Sequence, residues 1–235
     1  AGKGCIFDRK VIANGTFSSG FEKPIPVKNI SNEWKNTIRK IVKLCKENNI
    51  SIDFYSNPSS DFYLMEKGNY DEYVSFLRSF LNELGYDYYD FNLCYPEFLN
   101  LEDCDFSDDN HLNKTGIEKF TSVFCDFFNG KIETDKLFYK TYSEKIENQL
   151  PKIYGLMLKE SPDKKSIEIK PVINHEGGLV TYTVYALYDG KEEILFENSS
   201  NNIIVYPAAT SGKIKILSFY DGILNNTIIE YYTAF

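Results

Sequence analysis

The chain has 235 residues, a formal net charge of −8, 43% hydrophobic and 16% aromatic residues. That length holds one large domain or two ordinary ones with a real core. The negative charge argues against a nucleic-acid backbone or an anionic membrane face as partner, because both are bound through Lys and Arg, and no apolar run approaches the roughly 18–20 residues that span a bilayer.

Residues 1–30 offer short strands at 5–7 and 10–12, a turn at Asn14-Gly15 and an extended arm at Pro24 and Pro26. From Ser31, a good N-cap, Trp34, Ile38, Ile41, Val42 and Cys45 recur at helical spacing, and the helix should stop at Asn48-Asn49. Ile50, Ile52 and Phe54 alternate with polar residues and predict a strand closed by Asn57-Pro58. Asn69 is placed to cap a second helix carrying Tyr73, Phe76, Leu77, Phe80, Leu81 and Leu84, with Gly85 just past its end. A strand over 86–91 follows, then an acidic loop from 97 to 109. Ile117, Phe120, Phe124, Phe127 and Phe128 mark the next helix, and one amphipathic helix is expected over 132–150.

Helices alternating with strands imply a parallel sheet whose ligands sit at the carboxyl ends of the strands. Residues 57–60 and 97–113 both leave from those ends, so they should line one crevice that includes Asn57, Ser59 and Asn113.

At Pro151 the texture changes. Short β-rich runs appear at 153–158, 166–172, 179–188, 193–197, 203–205, 213–220 and 227–232, with turn signals such as Asp189-Gly190 and Asn225-Asn226 between them. About seven short strands in about 85 residues suggest an immunoglobulin-like sandwich. The expected fold is therefore an α/β domain with a partial parallel sheet, residues 1–150, followed by an all-β sandwich domain, residues 151–235.

Five cysteines, an odd number without repeated spacing, argue against a disulfide framework or a zinc site. Cys94 and Cys104 flank one loop and could pair, with free thiols the plainer reading. Asp103, Asp105, Asp108 and Asp109 imitate a calcium loop but lack its Gly and its terminal Glu. His175 has no second histidine at metal-binding spacing. The tyrosines of the C-terminal part, such as Tyr182, Tyr185 and Tyr220, suit sandwich core and cross-strand pairs better than a sugar-stacking face.

One segment carries chemistry: Asp108-Asp109-Asn110-His111-Leu112-Asn113-Lys114-Thr115-Gly116. Ester chemistry through serine needs a base within hydrogen-bond reach of the hydroxyl, an acid that fixes the base's tautomer, and donors for the oxyanion. A spacing of three on one loop lets a single turn present Asp108 and His111, and Gly116 lets the following helix pack closely.

The run Asp-x-x-His-Leu-Asn-x-x-Gly before an aromatic-rich helix resembles the last block of SGNH-type ester hydrolases and acyltransferases. Residues 38–50, the strand after them and Ser56-Asn57-Pro58 resemble the helix–strand–loop that precedes that block in DltD-like cell-envelope members. The likeness covers roughly residues 31–130. It implies His111 as general base, Asp108 as its orienting acid, and acyl transfer or removal on cell-surface carbohydrate, at the envelope or outside the cell. No metal or organic cofactor is implied. Partners would be carbohydrate or another acylated substrate, other envelope proteins, and no nucleic acid.

The family's Gly-Asp-Ser nucleophile block does not occur here. The nucleophile is therefore expected outside these residues, as in a C-terminal part of a longer protein, with Ser18 and Ser19 the only candidates near the start. The competing expectation is an inactive SGNH-like scaffold whose β-sandwich binds glycan or protein.

Overall fold

A computed structural model describes residues 16–19, 24–108, 110–151, 153–161, 165–174, 180–200, 203–205 and 211–233. The strands and turn expected within residues 1–15, as well as Asp109 and His175, lie outside them. The chain is mixed α/β: helices around a two-stranded parallel sheet, then two four-stranded sheets.

The first strand, β1 (Thr16–Ser19), precedes α1 (Asn32–Glu47), which starts where Ser31 Oγ accepts the Trp34 N–H at 3.1 Å and stops before Asn49, at φ 54°. The following strand is β2 (Phe54–Ser56), later than the alternation at 50–54 suggested. The unexpected α2 (Asp61–Lys67) comes next, capped by Ser60 and closed by Gly68 at φ 67°. Asn69 precedes α3 (Tyr70–Asn82) but does not cap it. Its side chain bonds both the N–H and the carbonyl of Ile25, at 2.9 and 2.8 Å, and so ties the N-terminal arm to the helix. Then β3 (Tyr88–Asp90) runs parallel to β2, in the register Phe54↔Tyr88 and Ser56↔Asp90. Aromatic α4 (Lys114–Phe128) packs Phe120, Phe124 and Phe127 on Phe91.

The single helix expected over 132–150 is instead two, α5 (Thr134–Leu137) and α6 (Tyr142–Glu147). The reason is competition for the backbone. Tyr139 N–H donates to Leu93 O and Tyr95 N–H to Leu137 O, at 2.8 and 2.9 Å, so Phe138 bridges Cys94 in extended form. Leu137 is fully buried and could not stay so on a continuous surface helix.

Beyond residue 150 come β4 (Ile153–Glu160), β5 (Ile167–Ile173), β6 (Val180–Tyr188), β7 (Lys191–Ser199), β8 (Ile203–Val205), β9 (Ser211–Tyr220) and β10 (Ile223–Thr233). One sheet has the order β1-β4-β5-β8, the other β10-β9-β6-β7. Ile153, Ile167 and Ile169 of the first meet Val180, Tyr182, Val184, Ile214 and Ile216 of the second in one buried cluster. Along β6, Val180, Tyr182, Val184 and Ala186 point into it, as period-2 geometry requires. Asp189-Gly190 and Asp221-Gly222, all four at positive φ, make the tight hairpins expected of such pairs. The last turn therefore lies at 221–222 rather than at Asn225-Asn226, where β10 carries a register shift instead.

β1 pairs parallel with β4 (Thr16↔Gly155 to Ser19↔Leu158), so this N-terminal strand belongs to a sheet of the β-rich part and not to the β2–β3 sheet. A second cluster crosses position 150 as well. Phe62, Leu64, Tyr70, Leu93, Tyr142 and Ile146 pack against Tyr154, Met157 and Val172.

Candidate active site

Asn113 organises the turn that carries Asp108 and His111. It is buried, with 2% exposure. Its Oδ1 accepts the N–H groups of Thr115 and Gly116 at 2.9 and 3.1 Å, which caps α4. Its Nδ2 donates to the carbonyls of Cys104 and Phe106 at 2.7 and 3.3 Å, and its own N–H donates to Asp105 O at 2.9 Å. One side chain thus fixes the helix start to the loop before it.

Gly116 completes the joint. A Cβ at this position would lie 2.2 Å from Asp105 O, a distance no side chain can tolerate, so only glycine lets α4 close on the loop. Fully buried Asp105 holds that loop in turn. Its Oδ2 accepts from Lys119 Nζ at 2.7 Å and from Glu102 N–H at 2.9 Å, while Oδ1 has no partner among the described residues. Asp105 is therefore committed to Lys119, and among the described residues no three His, Cys, Asp or Glu side chains come together as metal ligands.

On this base the turn closes through the Phe106↔Leu112 bridge and the Ser107 N–H to His111 O bond, at 2.8 Å. Asp108 Oδ1 accepts the N–H groups of Asn110 and His111 at 3.1 and 2.8 Å. The same carboxylate meets His111 Nδ1 at 2.9 and 3.0 Å through its two oxygens. Partial burial works to raise the Asp108 carboxyl, but the bonds from Asn110 and from His111, with the charge of the imidazole, outweigh it and hold the group below its ordinary value. The pairing presents Nε2 outward, and among the described residues nothing bonds to it. A histidine so oriented can take a proton at Nε2 while Asp108 keeps Nδ1 protonated.

The dyad is open to solvent, with the His111 and Asp108 side chains 71% and 50% exposed. It lines none of the described cavities. The crevice beside it has about 330 Å³ and is walled by Ser59, Asn92, Leu99, Cys104, Phe106 and Tyr154. Residues 58–59 and 99–106 do face each other there, and neither Asp108 nor His111 is among the residues that wall it. Asn57 lines a neighbouring cavity of about 350 Å³, together with Ser59, Tyr63 and Lys67. Ser18 and Ser19 lie on β1, opposite Met157 and Leu158 of β4. Cys94 and Cys104 are free thiols, and burial pushes Cys94 up to about 12.

A polar network at the end of the parallel sheet escaped the sequence reading. Asp90, 1% exposed, accepts from Tyr70 Oη at 2.9 Å and from the Asn92 N–H and Nδ2 at 3.1 and 2.8 Å. Asn92 also accepts the Ser59 N–H at 2.7 Å and donates to Asn57 O at 3.3 Å. The loop after β2 is thereby pinned to the loop after β3. Burial raises the Asp90 carboxyl, against the opposing bonds from Asn92 and Tyr70. The only sequence signal was an Asp-x-Asn at a strand end, too short to single out.

No family model, curated protein or solved structure matches the chain.

Proposed function

We propose that this chain carries the base and acid of an SGNH-type ester hydrolase or O-acyltransferase acting on cell-surface carbohydrate, at the envelope or outside the cell. His111 Nε2 takes the proton from a serine hydroxyl as its oxygen attacks the acyl carbonyl, then returns it to the leaving alkoxide. Asp108 keeps Nδ1 protonated and stabilises the imidazolium. The serine comes from outside these residues. The observation that carries the reading is the Asp108–His111 bond at 2.9 Å on a turn locked by Asn113 and Gly116. The order β4-β5-β8 against β10-β9-β6-β7 puts the first, second and fifth strands of the β-rich part opposite the rest, which suits an immunoglobulin-like module for glycan or protein binding.

The test is labelling of the native protein, as its source produces it, with a fluorophosphonate. We expect labelling that slows about 10³-fold or more in His111→Ala and by less in Asp108→Ala. A second reading is an inactive scaffold with the sandwich as working surface. It is favoured by the exposure of the dyad and by the lack, among the described residues, of a serine hydroxyl bonded to His111 Nε2. Absent labelling of the native protein selects it.

A further inference from the structure

The 330 Å³ crevice holds a polar cluster that the proposed reaction does not use. Asp61 at the start of α2 and Lys145 of α6 form an ion pair at 2.8 Å, with side chains only 18% and 15% exposed. Asp61 Oδ1 also accepts from Tyr142 Oη at 3.1 Å, and Gln149 Oε1 accepts from Tyr154 Oη of β4. Asp61, Lys145, Gln149 and Tyr154 all wall the crevice, where the helical part meets the β-rich part. An ammonium group has three donors, and Lys145 makes one hydrogen bond among the described residues, so donors remain for a ligand.

Phe91, Leu99 and Phe106 supply the apolar part of the wall, and all three are buried. Glu102 and Asp103 add two further carboxylates, so among the described residues that wall the crevice Lys145 is one cation against three acids. That balance is felt by the groups inside it. Burial first, then the charges of Asp61 and Asp103, hold the Tyr154 phenol above its ordinary value, and burial, Asp105 and Glu102 do the same to the Cys104 thiol. An anionic ligand is opposed here. Hydroxyl groups, which both donate and accept, match a carboxylate and an ammonium set side by side. The volume lies at the small end of the roughly 300–1,000 Å³ of ligand clefts, which suits one ring rather than a length of polymer.

We propose that this crevice is a binding site for one neutral sugar ring. Neighbouring hydroxyls of the ring donate to Asp61 and accept from Lys145, and its C–H face lies on the apolar wall. Cys104 and Phe106, which wall the crevice, are also the residues whose carbonyls Asn113 binds, and Phe106 bridges Leu112. The site and the turn of Asp108 and His111 therefore share one stretch of chain. The inference rests on the proposed function only in taking that sugar for the substrate, and the binding itself rests on the crevice.

The test is alkylation of the purified 235-residue chain by iodoacetamide, with the rate at each cysteine read by mass spectrometry. Cys104 and Cys125 are both exposed free thiols, and of the two Cys104 walls the crevice while Cys125 does not. The probes are methyl glucoside, methyl galactoside and methyl N-acetylglucosaminide, with glucuronate as the anionic control. We expect at least one of the three to slow Cys104 about sixfold at about 50 mM, as a Kd of about 10 mM implies, with Cys125 unchanged and glucuronate without effect. Lys145→Met should abolish the protection, and helical circular dichroism checks the fold of that variant. Asn100→Trp, at an exposed position of the same wall, should abolish it too without touching the ion pair. No protection by any of the three sugars, equal slowing of Cys125, or protection by glucuronate overturns the proposal. So does protection that survives Asn100→Trp, or that survives Lys145→Met in a folded chain. No serine takes part in this binding. Sugar protection without fluorophosphonate labelling of the native protein would therefore leave the site standing and sink the reaction, and labelling without protection would do the reverse.

Discussion

Single residues here act mainly by what they let the backbone do. Gly116 has no side chain to contribute, yet Asp105 O occupies the place its Cβ would take. Gly116→Ala must push α4 off the loop, and we expect a loss of about 2–3 kcal/mol in urea unfolding. Asn113→Ala removes a cap and leaves the carbonyls of Cys104 and Phe106 without their donor, for a loss of about 2–3 kcal/mol. Both changes should also loosen the Asp108–His111 pairing, visible as a shift of the His111 ring protons in NMR. Asp90 makes a prediction with a pH sign. Its carboxyl is raised by burial, so the folded state holds the proton more tightly than the unfolded chain does. The stability this contributes is complete below the ordinary carboxylate value of about 3.9 and is lost as pH rises through the folded value. Asp90→Asn carries no such charge, so it should gain on wild type between pH 3.5 and pH 7.5. Equal differences in unfolding free energy at the two values would refute this.

At the scale of elements, what the sequence made legible was what local chemistry decides. Ser31, Gly85 and the Asp189-Gly190 turn behave as their residue types demand, because caps and tight turns are settled within four residues. The Asp108–His111 pairing was legible for the same reason, since both partners lie on one turn. Elements settled by distant partners were not. The 132–150 run has helical spacing throughout, but Leu93 and Tyr95 claim the backbone at 137–139 and break it. Asn69 has the right position for a cap, but Ile25 takes its amide. The crevice was expected from the two loops, yet the bonds from Asn113 to Cys104 and Phe106 that tie the start of α4 to the loop before it are settled by partners seven and nine residues away, which no spacing reveals. The start of α6 has a similar distant partner. Asp71 of α3 accepts the N–H groups of Tyr142 and Ser143 at 2.6 and 3.0 Å and the Ser143 hydroxyl at 2.5 Å. Asp71→Ala should cost about 1–2 kcal/mol, as loss of an N-cap does, and Asp71→Asn should recover part of it. An alanine variant within about 0.3 kcal/mol of wild type would mean that Thr141, which already caps Glu144 N–H, suffices alone.

The whole molecule is tied together at Met157. β4 belongs to the β-rich part, yet Met157, 2% exposed, sits in the cluster with Phe62, Leu64, Leu93 and Tyr142 from the helical part. β1 adds a second tie from the N-terminal side of the chain to the same strand. A chain joined only by a linker at Pro151 would unfold in two steps, one for each part. A shared core predicts one. The single Trp makes this measurable, because Trp34 on α1 reports only the helical part. Its fluorescence and the β-sheet circular dichroism should share one urea midpoint. Met157→Ala should lower the Trp34 midpoint although residue 157 lies on a strand of the other part, by an amount matching about 2–4 kcal/mol. Separate midpoints, or a Trp34 transition indifferent to Met157→Ala, would show instead that the two clusters melt independently, and that the dyad's turn draws no support from the sheets beyond residue 150.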